Sequence, residues 1–283
     1  METLVITEDN LEEFEDILPE DVAENIGRVA YRGIAVADDD GSPGAAVVWE
    51  YQNLEDDTKD TVSKISWVSE TDPDTGKALF DEYGFEVSED GAVKSTAEFT
   101  VSDMEGLKGI LTEAGFSFTE KEGGNLIVTV ENLSELAIVK KKKVPGYIKP
   151  FGTLMLRPYR RGLMNCIFHT KRELLVDLSS LPMDWFDPDL SCYVETDDKI
   201  TGFLLIHKLP SGRLRVEFVS AFGPDAKTDI IYMMRYAILQ SFIEYPGETE
   251  VILPRRDVAA KKLTEYFFPG EKGEPSVLCE RKE

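Results

Sequence analysis

Apolar residues recur at helical spacing over residues 11–24 (LEEFEDILPEDVAE), a stretch that Pro19 divides. Residues 33–37 and 45–51 are apolar runs on either side of Asp38-Asp39-Asp40-Gly41, a turn signal that predicts a hairpin. Residues 64–69 (KISWVS) predict a third strand. Asp72-Pro73-Asp74 then opens a helix over 75–83, because Asp and Pro suit a first turn whose N–H groups have no partner inside the helix. An alternating strand over 95–101, a helix over 103–114 closed by Gly115 and an apolar strand over 125–130 complete a first series.

The remaining chain repeats the order. Residues 172–181 predict a helix, and 190–194 pairs with 202–207 across Asp197-Asp198. A strand over 216–220, a long apolar helix over 229–243, a strand over 250–253, a helix over 258–268 and a last strand over 276–279 follow. Letters match as well as elements. Trp67-Val68-Ser69 with Pro73-Asp74 stands against Phe218-Val219-Ser220 with Pro224-Asp225 at a constant offset of 151. Leu111-Thr112-Glu113 with Phe116 stands against Leu263-Thr264-Glu265 with Phe268 at 152. Two nearly equal offsets at matching places predict an internal duplication.

Composition sharpens the division. Residues 1–139 hold 34 acidic and 8 basic side chains, a net charge of −26, whereas 140–283 carry +3. The sign changes at 139–146 (VKKKKVPG), which predicts an N-terminal domain over 1–139, a basic linker or exposed edge strand over 140–149, and a C-terminal domain over 150–283. The acidic half repels nucleic acid, whose binding depends on neutralising phosphates. Neither His169 nor His207 has the carboxylate or cysteine spacing of a metal site, so no metal is expected. Cys166, Cys192 and Cys279 stand too far apart for a disulfide framework. No apolar run is long enough to span a membrane, and the first residues lack the pattern of a secretory signal. A cytoplasmic protein with no membrane partner is the expectation.

Helix, hairpin, strand, helix, strand, helix, strand resembles the GNAT N-acetyltransferase superfamily, here twice over. Residues 107–116 (LKGILTEAGF) look like that family's late helix with its Gly-Phe end, and Phe222-Gly223-Pro224-Asp225-Ala226-Lys227 looks like its Val-x-Pro-x-x-Arg lead into the cofactor loop. The resemblance implies an α/β (α+β) fold of two tandem GNAT-like domains, each a mixed, mostly antiparallel sheet flanked by helices. It also implies an N-acyltransferase that moves an acetyl group from acetyl-CoA to an amine. Acidic surroundings imply a cationic acceptor, and tandem pairing implies a monomer.

The resemblance carries over to particular residues. Gly76 and Ala78 match the spaced small residues of the pyrophosphate loop in the first half, with Lys77 between them to help bind a phosphate, although Pro73 replaces the loop's Gln or Arg. An alternative is a helix that simply begins at Pro73. In the second half Lys227 replaces the loop arginine, while Ile230 and Tyr232 occupy the glycine positions. Glu217 and Glu70 fall where members place a general base. Leu111 and Leu263 fall where members place the tyrosine that protonates the thiolate, with Tyr266 three residues on as a substitute. The missing glycines and tyrosine equally fit a non-catalytic GNAT-derived binding protein. Loop chemistry favours a cofactor site in the first half; charge, through Lys227, Arg255, Arg256, Lys261 and Lys262, favours the second.

Overall fold

The computed structural model describes residues 3–37, 41–54, 59–121, 124–141, 143–170, 178–179, 181–255 and 257–283. In chain order its elements are β1 (Thr3–Val5), α1 (Glu20–Ala23), β2 (Tyr31–Ala37), β3 (Pro43–Gln52), β4 (Thr61–Val68), α2 (Pro73–Glu89), β5 (Ala92–Thr100), α3 (Val101–Glu113) and β6 (Ser117–Lys121). There follow β7 (Leu126–Thr129), α4 (Val130–Leu133), β8 (Ile148–Pro150), α5 (Leu156–Thr170), β9 (Cys192–Thr196), β10 (Lys199–Lys208), β11 (Leu214–Ala221), α6 (Ala226–Glu244), β12 (Glu250–Leu253), α7 (Val258–Phe267) and β13 (Ser276–Lys282). Two mixed sheets flanked by helices result, which is the α/β architecture expected.

The chain divides into two units, but not at the lysine run. Unit 1 is Met1–Gly123 with Glu274–Glu283, and unit 2 is Gly124–Gly273. The sheet of unit 1 has the order β1-β2-β3-β4-β5-β13-β6, and that of unit 2 the order β7-β12-β11-β10-β9-β8. Each series therefore gives its last strand away. β7, at the end of the first series, pairs antiparallel with β12 from Glu250↔Thr129 to Leu253↔Leu126. β13, at the end of the second, lies between β5 and β6.

The expected linker over 140–149 and the boundary at 139 are thus corrected. Both fall inside unit 2, where Arg235 of α6, itself buried, donates from Nε to the Ile138 carbonyl at 2.8 Å and from Nη1 to the Lys143 carbonyl at 3.0 Å. Val139 is buried, and Ile138 and Val144 pack on the same core. The exposed lysines are the solvated side of an anchored segment. The chain passes between units at Gly123-Gly124 and near Gly273, where glycines rather than charge mark the crossings.

Alternation explains the layers. In unit 1, Ala45, Val47, Trp49 and Tyr51 of β3 face the cluster containing Leu79 and Tyr83 of α2, while Ala46 and Val48 face Phe14 and Leu18. In unit 2, Leu204 and Ile206 of β10 face α6, and Phe203 and Leu205 face α5. A strand buried on both faces reads as a continuous apolar run, which is why β3 and β10 were legible. Helix α5 adds to the second series. The helix expected over 172–181 lies mostly outside the described residues, and a helix that was not expected spans Leu156–Thr170. Pro158 masks it in the sequence but sits in its first turn, where proline is tolerated; Tyr159, Leu163 and Cys166 mark its buried face.

Candidate functional site

In each sheet a parallel pair of strands parts company beside a bulge. In unit 1, β4 and β5 pair from Thr61↔Ala92 to Ile65↔Ala97, after which β4 runs on to Val68 unpaired on that side. Val48 opposes Trp67 and Trp49 opposes Ile65, leaving Ser66 as the extra residue. In unit 2, β11 and β12 pair only at Leu214↔Val251 and Arg215↔Ile252, and β11 continues to Ala221. Leu205 opposes Phe218 and Ile206 opposes Val216, so Glu217 is the extra residue. Ser66 and Glu217 stand 151 apart, the offset that the letters gave. A bulge bends its strand and interrupts pairing, which opens a wedge with free backbone groups.

The helix that follows each wedge begins differently. At α2 the Asp72 carboxylate accepts the N–H of Asp74 at 3.0 Å and of Thr75 at 3.1 Å. Hydrogen bonds from Thr75, then from Asp74, hold the Asp72 carboxyl below its usual pKa. An anion thus already occupies that helix start. Gly76 lies in the helix, where an added Cβ would come within 2.8 Å of Ile110 Cγ2. Lys77 donates to Asp81 at 2.7 Å one turn on, and Ala78 packs against the core. The cofactor-loop reading of Gly76, Lys77 and Ala78 is therefore corrected: the glycine lets α2 approach α3, and the helix beginning at Pro73 is the alternative that holds.

At α6 the helix starts two residues later relative to the repeat, and its N-cap, Asp225, makes no side-chain bond to the first turn. Lys227 is exposed on that turn. Gly223 has φ +104 with open space where a Cβ would stand. Asp229, the acidic group that would oppose a bound anion, is buried and accepts a hydrogen bond from Tyr147 Oη at 3.2 Å. Burial raises its pKa, partly offset by the Tyr147 bond.

The acid/base candidates separate in the same way. The Glu217 side chain is only 6% exposed and forms an ion pair with Arg215 of the same strand. Glu70 is exposed beyond the end of β4 and lies against Gly106 of α3. Tyr266 is 67% exposed on α7, edge-on to Phe267, which corrects its reading as the thiolate's acid: that side of the helix faces solvent. Arg255 is committed to α7, donating to Thr264 Oγ1 at 2.9 Å and to the Glu271 carbonyl at 3.0 Å. Arg256 lies outside the described residues.

Sequence reasoning missed a cleft of about 930 Å³ between α5 and the β9–β10 hairpin of unit 2. Its lining includes Arg157, Arg161 and His169 of α5, Tyr193 of β9, and Phe222 at the end of β11. His169 stacks on Phe222 with ring centroids 4.4 Å apart, so this histidine is a wall residue. Phe222 directly precedes the turn that leads into α6. The signal for the cleft was an arginine pair four residues apart in a stretch where no helix was expected.

No family model matches the sequence, and no curated protein matches it. Solved structures do. A GCN5-related N-acetyltransferase from Kribbella flavida aligns over 84% of this chain and 86% of its own, with TM-score 0.53 and 11% identity. L-PGS from Bacillus licheniformis aligns over 96% and 90%, with TM-score 0.52 and 12% identity. The fungal GCN5-related glucosamine N-acetyltransferase region of a multi-domain GH3 β-N-acetylglucosaminidase aligns over 99% of this chain and 38% of that one, with TM-score 0.56 and 12% identity. The chain has the fold of the GCN5-related N-acetyltransferases.

Within this N-acetyltransferase fold, Gly162 fixes how near α5 comes to the sheet. An added Cβ would lie 3.0 Å from Ile200 Cβ and 3.1 Å from Phe203 Cε2 of β10, the first half-buried at the cleft and the second fully buried in the core. Gly162→Val is expected to destabilise unit 2 by about 1–3 kcal/mol through overpacking. A urea titration followed by tryptophan fluorescence reads this, and an unchanged midpoint would show that α5 can shift without cost.

Proposed function

We propose that unit 2 carries an acyl-CoA-dependent N-acyltransferase site that moves an acetyl group from acetyl-CoA to an amine, and that unit 1 serves a structural role. The observation that carries this reading is the contrast between the two helix starts. Helix N-termini attract phosphate because several N–H groups point outward from the end of an aligned dipole. At α2 a carboxylate already takes those N–H groups, whereas at α6 no side chain does. The residues around α6 thus suit a pyrophosphate, with Lys227 beside it and no Cβ at Gly223 to crowd it. The wedge between β11 and β12 offers backbone groups to an extended pantetheine arm.

Acetyl-CoA supplies the acyl group as an activated thioester. Glu217 stands at the bulge where the arm would end, with its carboxylate held by Arg215. In transfer, the amine nitrogen bonds to the thioester carbonyl carbon and the carbon–sulfur bond breaks. Glu217 takes the proton lost by nitrogen, directly or through one water, and the thiolate recovers a proton from solvent. No tyrosine is assigned to the thiolate, so positioning carries more of the acceleration.

Calorimetric titration of the full chain with acetyl-CoA tests the placement. Lys227→Glu is expected to weaken binding about tenfold or more, because it sets a carboxylate against the phosphates. Lys77→Glu, on the closed helix start, is expected to leave it unchanged. Loss of binding in Lys77→Glu alone would move the site to unit 1, and no saturable binding at millimolar acetyl-CoA would remove the reading.

A further inference from the structure

The cleft beneath α5 has two differently charged walls. Helix α5 contributes Arg157 and Arg161, one turn apart, and neither guanidinium has a hydrogen-bond or ion-pair partner among the described residues. The β9–β10 hairpin contributes Asp197 and Asp198, which form the turn with φ of 51° and 56° and likewise have no such partner. Glu195 also lines the cleft but is neutralised by its ion pair with Lys149, whose own pKa is raised chiefly by that Glu195 bond. Lys199, next to the turn, has no ion-pair partner either and completes the polar rim. The ring of Phe222, stacked on His169 of α5, also lines the cleft.

Unpaired charges of one sign on a chain of net charge −23 would be plain solubilising surface. Here both signs face one cavity, and its volume is near the upper end of the roughly 300–1,000 Å³ that small-molecule sites occupy. A ligand of one charge would meet repulsion at one wall. A ligand carrying both charges meets a partner at each, and a guanidinium pair can grip a planar carboxylate or a phosphate through parallel hydrogen bonds.

We propose that this cleft binds a zwitterionic small molecule: its carboxylate or phosphate against Arg157 and Arg161, its amino group towards Asp197 and Asp198. As the acyl acceptor of unit 2, which rests on the acyl-transfer reading above, such a molecule would be an amino acid, a short peptide or an aminoalkyl phosphate. A simple polyamine lacks the acidic end. Phe222 connects the cleft to the turn before α6, so the amine is delivered from the α5 side of the sheet.

The test needs no acyl donor. The full chain is titrated calorimetrically with 6-aminohexanoate, O-phosphoethanolamine, hexylamine and hexanoate. Saturable binding of 6-aminohexanoate or phosphoethanolamine at least tenfold tighter than either single-ended compound is expected, and which of the two binds distinguishes a carboxylate from a phosphate. The double variant Arg157→Ala/Arg161→Ala is expected to lose that binding tenfold or more. Arg160→Ala, whose guanidinium instead donates to the Ser179 carbonyl at 3.2 Å, is expected to retain it. Both arginines are exposed, and an unchanged melting temperature shows the double variant folded. Equal binding of hexylamine or hexanoate, no binding of any probe, or an unaffected double variant each overturns the proposal. Acetyl-CoA is titrated into the double variant in parallel. Loss there instead would assign these cations to the donor, overturning the acceptor assignment while leaving acyl transfer in place.

Discussion

Removal of residues 274–283 is expected to unfold unit 1 while unit 2 persists. β13 occupies an interior slot of the seven-stranded sheet, paired with β5 from Ser276↔Thr100 to Lys282↔Lys94 and with β6 from Ser276↔Lys121 to Glu280↔Ser117. Without it, two ladders of backbone groups lose their partners. Each such bond is worth about 0.5–1.5 kcal/mol net, and roughly ten of them equal the whole stability of an ordinary domain. Side chains add to the loss. Cys279 is fully buried with its sulfur 3.7 Å from Met104 Sδ, and Arg281 lies over the rings of Tyr83 and Phe116 at 5.2 and 5.1 Å. Ser95, which accepts a hydrogen bond from Tyr83 Oη at 2.7 Å, also binds the Glu283 carboxylate. Hydrogen exchange measured by mass spectrometry separates the units: protection should vanish over β4 and β5 and survive over β9, β10 and β11. Retained protection in β5 would mean that the exchanged strand is dispensable, and loss throughout would mean that the units fold as one.

Glu217→Gln is expected to lower kcat for acetyl transfer by about a hundredfold or more while leaving the acetyl-CoA dissociation constant within about twofold. A positioned general base contributes roughly 10²–10⁴ to rate, and the amide keeps the shape of the side chain without its basicity. The acidic limb of the pH–rate profile, which reports protonation of that base, should disappear in the variant. A purely structural Glu217 would instead lower stability and leave the profile's form intact. Glu70→Gln is the control, since Glu70 is exposed over α3 and its loss should leave transfer unchanged. Full activity in Glu217→Gln would end its assignment as the base.

What the sequence revealed and what it hid have physical causes. Strands β3 and β10 were legible because burial on both faces leaves them apolar almost throughout, Glu50 being the one charge within 45–51, whereas the equivalent bulges at Ser66 and Glu217 had no local signal although they stand at the same offset of 151. The short strands β1, β6 and β8 were not, since Ser117–Lys121 and its like carry too few apolar residues for a period to appear. The partner of a strand is a long-range property, so nothing local in Leu126–Thr129 or Ser276–Lys282 announces which sheet it joins. Gly76 shows the limit of motif reasoning. A small residue near a helix start serves a phosphate or a neighbouring helix equally well, and only the position of Ile110 distinguishes the two. Likewise, Lys140, Lys141 and Lys143 are exposed yet mark no break in the fold, because Arg235 holds the Ile138 and Lys143 carbonyls from within.

The reciprocal strands also set an order of assembly on the ribosome. Unit 2 takes its borrowed strand from residues made before it, so its sheet can close as soon as α7 has emerged. Unit 1 begins first, yet a slot between β5 and β6 stays vacant until residue 282 is synthesised, a separation of more than 160 residues from β6. Domains usually mature from the N-terminus onwards; here the first to be translated is the last to be finished. During that interval two unpaired edges are exposed to neighbouring chains, which makes a nascent-chain holdase most useful to this protein while unit 2 is being translated.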